Sequence, residues 1–260
     1  MSCDAPFVLR DDADGITTLT LNRPAPRNAL TLAGIKEMTA AFNAIKHDAK
    51  IKAVVLVGSG PAFCAGHDLK ELRANSEPQW TRELFESCSA MMLAMVRLPQ
   101  PVIARVHGIA TAAGCQLVAT ADLAVASSTA TFATPGVNIG LFCSTPMVAL
   151  ARNVGRKKAM EMLLIGRPLS ATDAEAAGLI NRAVAPENLD ADVYGMARDI
   201  CGKSAKVLAI GKRAFYEQIE LGLAESYAYA GAIMVKNMLE GDAVEGIDAF
   251  LGKRQPVWGK

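Results

Sequence analysis

Short runs of mainly apolar residues mark the first two thirds of the chain. Runs of about four to eight such residues, bounded by glycine, proline or polar residues, are typical of fully buried strands. One further segment is rich in β-branched residues and lies between Gly15 and two prolines. We therefore predict strands at residues 16–22, 53–58, 101–106 and 122–127.

Between these strands, apolar residues recur at intervals of three and four. This spacing predicts helices over residues 32–45 and 79–97, the first of them with Thr31 as its N-cap. Ser170 opens a capping-box pattern for a short helix that ends at Gly178. Strands that alternate with helices predict an α/β fold.

The last part of the chain has a different pattern, because helical periodicity continues without a convincing strand. Four helices are predicted there, within residues 188–200, 206–221, 223–240 and 243–254. We therefore predict two parts, an α/β core over residues 1–185 and a helical region over residues 186–260.

Composition narrows the classes of partner. The 260 residues are 51% hydrophobic and 20% charged, and 27 basic against 26 acidic residues give a net charge of +1. We expect no nucleic-acid partner, since there is no basic excess, and no membrane partner, since no apolar stretch approaches the roughly 20 residues of a spanning helix. The first residues lack the pattern of a signal or transit peptide, so we expect a soluble protein in the cytoplasm.

The six cysteines and three histidines are scattered and contain no C-x-x-C pair. Zinc-site spacing is therefore absent, and we expect no metal and a reducing compartment. Gly58-Ser59-Gly60 lacks the G-x-G-x-x-G spacing of a dinucleotide site, so NAD is not expected either.

Two glycine- and alanine-rich segments, FCAGHDLKEL (63–72) and GIATAAGCQL (108–117), each lie between a predicted strand and a helix. Backbone N–H groups at the start of a helix have no intrahelical acceptor. Two such junctions that face each other could hold an oxygen that becomes negative during a reaction, which is an oxyanion hole. The alternative is that the small residues serve only close packing of helix on sheet.

Four motifs in order carry a resemblance to a known family. LNRPAPRNAL (21–30), FCAGHDLKEL, HGIATAAGCQL (107–117) and FATPGVNIGL (132–141) resemble motifs of the enoyl-CoA hydratase/isomerase, or crotonase, family. The resemblance implies a spiral of β-β-α units whose C-terminal helices form a homotrimer, often as a dimer of trimers. It also implies an acyl-CoA or enoyl-CoA substrate, with coenzyme A as part of the substrate and no separate cofactor.

The resemblance also implies a site. The backbone amides of His67 and Ala113 would form the oxyanion hole, which leaves the role of the His67 side chain open. The two glutamates that hydratases of the family use map to Gln116 and Gly136, so both carboxylates are missing. An amide can orient water but cannot accept its proton at neutral pH.

Contacts with coenzyme A are implied for the loop before the first helix, for the first junction and for the C-terminal tail. By resemblance the contacting residues are Arg27, Ala29, Asp68, Leu69, Lys70 and Lys253, with Arg254 beside the last. For the basic members of this set, a solvated surface charge is the alternative.

Three hypotheses about function follow. The first is an acyl-CoA enzyme that stabilises an enolate, with hydration of a 2-enoyl-CoA as the default reaction of the family. The second is an acyl-CoA-binding or regulatory protein with little turnover, which the missing glutamates favour. The third, thioester hydrolysis, needs a base that we do not find.

Substitute groups for the missing chemistry are few. The His67 ring, Asp68 and Glu71 are candidate bases, although Asp68 is also the natural cap of the following helix. Cys143 and Ser144 could line the acyl pocket, or Ser144 or Thr145 could be the N-cap of the next helix. Cys64 is interpreted as a packing residue.

Overall fold

The computed structural model describes residues 5–259, and within them the chain forms ten strands and eleven α-helices. The strands are β1 (Val8–Ala13), β2 (Ile16–Leu21), β3 (Ala53–Gly58), β4 (Ala62–Cys64), β5 (Val102–Val106), β6 (Ile109–Thr111), β7 (Leu123–Ser127), β8 (Thr131–Ala133), β9 (Leu169–Ser170) and β10 (Arg182–Val184). The helices of the first part are α1 (Leu32–Lys46), α2 (Leu69–Ala74), α3 (Pro78–Val96), α4 (Ala113–Thr120), α5 (Pro146–Asn153), α6 (Arg156–Ile165) and α7 (Ala171–Ala176). The last four are α8 (Leu189–Cys201), α9 (Ala205–Gln218), α10 (Leu223–Met238) and α11 (Gly241–Leu251).

The described strands form two sheets. The larger has six strands in the order β1-β2-β3-β5-β7-β10, and only the β1–β2 pair is antiparallel. The smaller has four strands in the order β4-β6-β8-β9, with β8–β9 antiparallel. Strands β3, β5 and β7 are almost fully buried, which explains why they read as continuous apolar runs.

Successive turns of the chain add one strand to each sheet. β3, β5 and β7 enter the larger sheet, and each is followed at once by β4, β6 or β8 in the smaller sheet. A helical segment then leads back to the next turn. This repeat confirms the predicted α/β spiral of β-β-α units.

Helix ends follow local sequence signals in the first part. The Thr31 side chain accepts a hydrogen bond from the Gly34 amide, and the Ser170 hydroxyl accepts one from the Asp173 amide. Both predicted N-caps are therefore confirmed. Thr145 occupies the N-cap position before Pro146, but its side chain makes no capping bond.

The C-terminal helices differ in how they contact the rest of the protomer. Helix α8 packs on the larger sheet through Leu189, Val193 and Ala197. Helix α9 is fixed to the core by the buried Lys212 ammonium, 2.6 Å from the Asp122 carboxylate. Helix α10 has no buried residue. The prediction that this region is helical is confirmed. The division at residue 185 and the trimer remain predictions.

Candidate active site

The first junction is held by a short bridge to the chain segment before α1. The Leu30 amide donates to the Gly66 carbonyl at 2.8 Å, and the Asp68 amide donates to the Leu30 carbonyl at 2.9 Å. In a parallel bridge of this kind, the residue between the two bonded positions turns its own N–H and C=O away from the partner. The His67 N–H therefore faces away from Leu30, and no acceptor is recorded for it within residues 5–259.

The second junction presents another amide. Ala113 is the first residue of α4, so its N–H has no acceptor inside the helix. Ala112, just before it, has a φ of 51°, a value that a residue other than glycine rarely adopts. Gly66, which precedes His67, also has a positive φ of 88°. Each free amide thus follows a residue in a special backbone conformation.

Close packing brings the two junctions together. A Cβ atom added to Gly66 would lie 2.9 Å from the Ala112 Cβ and 3.2 Å from the Ala113 nitrogen. A Cβ atom added to Gly114 would run into the Cys64 carbonyl oxygen. Glycine is required at both positions because backbone meets backbone there. The small residues therefore serve close packing and place the two amides next to each other at the same time.

A buried asparagine supports the first junction from behind. The Asn28 side chain is fully buried and donates to the Ser59, Ala62 and Phe63 carbonyls at 2.8–3.0 Å. The Asn28 backbone carbonyl accepts from the Cys64 thiol at 3.2 Å. Sequence reasoning did not identify Asn28, although its place inside the RNAL motif was a signal.

The His67 ring is turned toward α3. It contacts Phe85 edge to face with ring centroids 5.2 Å apart. Burial lowers the pKa of His67 to about 4, so the ring is neutral at pH 7. Its Nε2 atom is buried and has no hydrogen-bond partner among the described residues. A base with so low a pKa accepts a proton weakly at neutral pH.

The two positions of the missing glutamates differ in the space around them. Gln116 lies on α4, is 5% exposed, and its Oε1 atom has no partner in the part of the chain that the structure describes. Gly136 lies in a 3-10 helix, where an added Cβ would be 2.6 Å from the Leu141 carbonyl oxygen and 2.9 Å from the Cys143 sulfur. A side chain at Gly136 therefore requires the 141–143 segment to move.

Two hydroxyls near these positions also lack partners. Thr111 Oγ1 and Thr134 Oγ1 are buried and make no hydrogen bond within residues 5–259. Thr111 pairs with Ala133 across β6 and β8, and Thr134 follows Ala133 directly. Buried polar groups are nearly always satisfied by protein, water or ligand. Two unpaired hydroxyls therefore lie together at this end of the smaller sheet.

The carboxylates of the first junction are already engaged. Asp68 accepts from the Lys70 and Glu71 amides at the start of α2 and pairs with Arg23 at 3.2 Å, and these bonds lower its pKa although partial burial opposes them. The predicted capping role of Asp68 is confirmed. The Glu71 side chain accepts from the Leu32 amide at 3.0 Å. Neither group is free to act as a base.

The residues expected to contact coenzyme A are mostly exposed. Arg27, Leu69, Lys70 and Lys253 lie at the surface, whereas Ala29 is buried. The Ala29 carbonyl accepts a hydrogen bond from Arg23 at 2.7 Å. Arg254, beside Lys253, is paired with Glu245 at 2.6 Å.

The cysteines form no reactive centre. Burial raises the pKa of Cys64, Cys88 and Cys115 to about 12, so these thiols stay protonated at neutral pH. Cys143 is buried next to Gly136, and burial raises its pKa as well. Cys3 lies outside the described residues. No group of His, Cys, Asp and Glu side chains within residues 5–259 could hold a metal ion, and no helix there is long and apolar enough to cross a membrane.

The two sheets and the spiral of β-β-α units define the fold class, and comparison with known proteins agrees. The enoyl-CoA hydratase/isomerase family model matches residues 11–260, so the chain belongs to this family. A solved structure of an enoyl-CoA hydratase from Mycobacterium smegmatis is 54% identical, with a TM-score of 0.96 over 98% of this chain and 99% of that one.

Among members of the family, the chain is similar to enoyl-CoA hydratase domain-containing protein 3. The solved structure of human enoyl-CoA hydratase domain-containing protein 3 is 44% identical, with a TM-score of 0.94 over 97% of this chain and 100% of that one. The mitochondrial protein of the same name from Rattus norvegicus is 46% identical, covering 94% of this chain and 82% of the relative. That name does not support the predicted cytoplasmic location, which stays a prediction.

Proposed function

We propose that this protein binds an acyl-CoA thioester and polarises the thioester carbonyl with the backbone amides of His67 and Ala113. The observation that carries the proposal is the contact of Gly66 with Ala112 and Ala113, which puts the two free amides side by side. One such donor is worth about 10²–10³-fold in rate where a negative oxygen develops. Polarisation by backbone needs no particular side chain, so it survives the loss of both glutamates.

The reaction that fits this site best is loss of a C2 proton to solvent, with the enolate oxygen held by the two amides. Hydration needs a group that accepts a proton from water, and Gln116 is an amide while Gly136 has no side chain. Asp68 and Glu71 are engaged in structural hydrogen bonds. We therefore propose that the protein is an acyl-CoA enzyme of the family and that it hydrates enoyl-CoA only slowly.

An acyl-CoA-binding or regulatory protein with little turnover is the second candidate. The observation that favours it is the space at Gly136, which the Leu141 carbonyl and the Cys143 sulfur have filled. If the only change at this position were the loss of a glutamate side chain, the space beside Gly136 would still be large enough for that side chain.

Calorimetry and isotope exchange test the proposal and separate the two candidates. Butanoyl-CoA should bind and release heat, whereas NAD should not bind. An enzyme that stabilises an enolate should speed the exchange of the C2 hydrogens of butanoyl-CoA with deuterated water, with solvent as the proton acceptor, whereas a binding protein should not. Binding of NAD without affinity for butanoyl-CoA would contradict both candidates.

We also propose a homotrimer, alone or as a dimer of trimers, formed through the C-terminal helices. Leu223, Tyr227 and Phe250 are 78%, 74% and 82% exposed in the single protomer. An exposed apolar surface of this kind marks a contact with another chain. Exposed Lys253 follows these helices, and by resemblance to the family we propose that it contacts the coenzyme A of a neighbouring copy. Light scattering at micromolar concentration should show three or six copies, and a monomer would contradict the proposal.

A further inference from the structure

We propose that Arg23 polarises and orients the His67 amide through two peptide groups that hydrogen bonds link in series. The inference rests on the proposed function, because that function assigns the His67 N–H to the thioester oxygen. It goes further in that it gives Arg23 the role of a positioning residue, which acts on the thioester through other residues.

The last link of this chain is the peptide group between Gly66 and His67. In a trans peptide group the C=O and the N–H point in opposite directions. The Gly66 carbonyl accepts a hydrogen bond from the Leu30 N–H at 2.8 Å. The His67 N–H belongs to the same peptide group, so it points away from Leu30 and toward the place proposed for the thioester oxygen.

The preceding link is the peptide group between Ala29 and Leu30, whose N–H is the donor of that bond. Its carbonyl, on Ala29, accepts from Arg23 Nη1 at 2.7 Å. The same guanidinium donates to the Asp68 carboxylate at 3.2 Å through both of its terminal nitrogens, which fixes its position. The two peptide groups therefore form one chain of donors and acceptors that begins at the guanidinium and ends at the free amide.

Hydrogen bonds in such a chain strengthen one another. Each bond withdraws electron density from the next peptide group, which makes its N–H a better donor, and the gain is about 10–30% per bond. Ala29 is 7% exposed, and Leu30 and Gly66 are buried, so water screens this part of the chain little. Asp68 offsets part of the guanidinium charge, but its bonds to Arg23 are longer than the bond to the Ala29 carbonyl.

The second amide is supported in a different way. Ala113 begins α4, and the carbonyl of the preceding peptide group, on Ala112, accepts from the Gln116 N–H at 3.0 Å. The aligned peptide groups of a helix place partial positive charge at its N-terminus. His67 precedes α2 and lies outside any helix. Arg23 therefore gives the first amide the polarisation that α4 gives the second.

The test measures the carbonyl band of bound butanoyl-CoA, labelled with ¹³C at the thioester, by infrared spectroscopy. The proteins are the wild type, Arg23→Gln, Arg23→Lys and Arg10→Gln. Arg10 is the matched control, because its side chain is 30% exposed against 32% for Arg23 and is also paired with carboxylates, those of Asp12 and Asp48. Calorimetry measures the affinity of each protein for free coenzyme A, which has no thioester carbonyl.

In the wild-type protein, the band should move to lower frequency on binding. This shift should be smaller in Arg23→Gln by about 10–30% or more, the gain that each bond of the chain supplies. Arg23→Lys keeps the charge but not the forked guanidinium, so its shift should lie between those of Arg23→Gln and the wild type. Arg10→Gln should match the wild type, and all four proteins should bind free coenzyme A with similar Kd values.

Each contrary result has a distinct meaning. If butanoyl-CoA does not bind to the wild-type protein, or binds without a shift, the proposed function fails. If the shift is the same in Arg23→Gln as in the wild type, the role of Arg23 is wrong while the proposed function stands. Weaker binding of free coenzyme A to Arg23→Gln would show that Arg23 contacts the ligand directly, which also contradicts the proposal. If Arg23→Gln does not fold, a wild-type shift in Arg23→Lys contradicts it.

Discussion

The two halves of the candidate site are built in different ways. Residues 64–68 and 112–116 present backbone amides that are held by contacts between main-chain atoms, as at Gly66 and Gly114. The other half, from Thr134 to Cys143, would have to present a side chain, and there Gly136 is closed off by Leu141 and Cys143. The first half presents main-chain atoms, whereas the second half depends on the side chain of a single residue.

The difference separates two parts of catalysis that usually occur together. Carbonyl polarisation depends on main-chain position, which close packing enforces. Proton transfer depends on carboxylates with a suitable pKa. A chain of this family can therefore retain the ability to bind and polarise a thioester after it has lost the ability to add water.

The largest expected effect is on hydration. Because general acid–base catalysis typically contributes about 10²–10⁴-fold, the wild-type protein should hydrate crotonyl-CoA slower by about that factor than a relative with both glutamates. The measurement is the loss of enoyl absorbance with time. Turnover as fast as that of such a relative, and unaffected by His67→Leu, would show that another group transfers the proton.

Restoring carboxylates tests the closed space at Gly136. Gln116→Glu should fold normally and gain little activity, since it supplies one buried carboxylate without the other. Gly136→Glu and the smaller Gly136→Ala should both destabilise the protein by about 1–3 kcal/mol, because the Cβ atom alone meets the Leu141 carbonyl. The melting temperatures of Gly136→Glu and Gly136→Ala should both be lower than that of the wild-type protein, and by similar amounts. A stable Gly136→Glu protein with fast hydration would contradict this account.

The next prediction concerns the packing between the two junctions. Gly114→Ala drives a Cβ atom into the Cys64 carbonyl, so it should destabilise the protein by about 2–3 kcal/mol and weaken butanoyl-CoA binding more than tenfold. Gly195→Ala, inside α8, meets no atom within 4 Å and is the matched control. It should be neutral or more stable by up to about 1 kcal/mol. Equal behaviour of the two variants in melting and calorimetry would mean that the packing is not required.

The last effect is confined to acidic pH and is the dependence of stability on pH through His67. Burial lowers its pKa from 6.5 to about 4 in the folded protein. Between these values the unfolded chain binds the proton and the folded one does not, so stability falls as pH is lowered from 6.5 to 4. The full loss of stability between these pH values is about 3.5 kcal/mol, at about 1.4 kcal/mol per pKa unit.

Chemical denaturation at a series of pH values measures this slope. His67→Leu should flatten the part of the curve between pH 6.5 and 4, whereas substitution of the exposed His47 should not. A slope that is the same in His67→Leu as in the wild-type protein would show that His67 titrates normally in the folded state.

The fold was predictable where burial is continuous. Strands β3, β5 and β7 stand out because both faces are covered, and the family motifs gave the order of the units. The short strands of the smaller sheet, such as Ala62–Cys64 and Thr131–Ala133, were missed, because three residues show no period. The strand Val8–Ala13 was missed because it is mostly exposed and rich in charge.

The site was predictable as a list of motif positions but not as a geometry. The positive φ of Ala112 has no signal in the sequence, since alanine does not favour that conformation. The closure of Gly136 depends on Leu141 and Cys143, which lie farther along the chain and reach it only through a turn. The direction of the His67 ring depends on Phe85 of α3, a contact between distant segments.

The most direct test of the central claim is the infrared spectrum of a bound thioester. Butanoyl-CoA labelled with ¹³C at the thioester carbonyl is added to the wild-type protein, and the labelled C=O stretch is compared with that of the free compound. Two hydrogen bonds from the His67 and Ala113 amides should weaken the C=O bond, so the band should move to lower frequency on binding. A bound thioester whose carbonyl band stays at the solution frequency would contradict the claim that these amides polarise it.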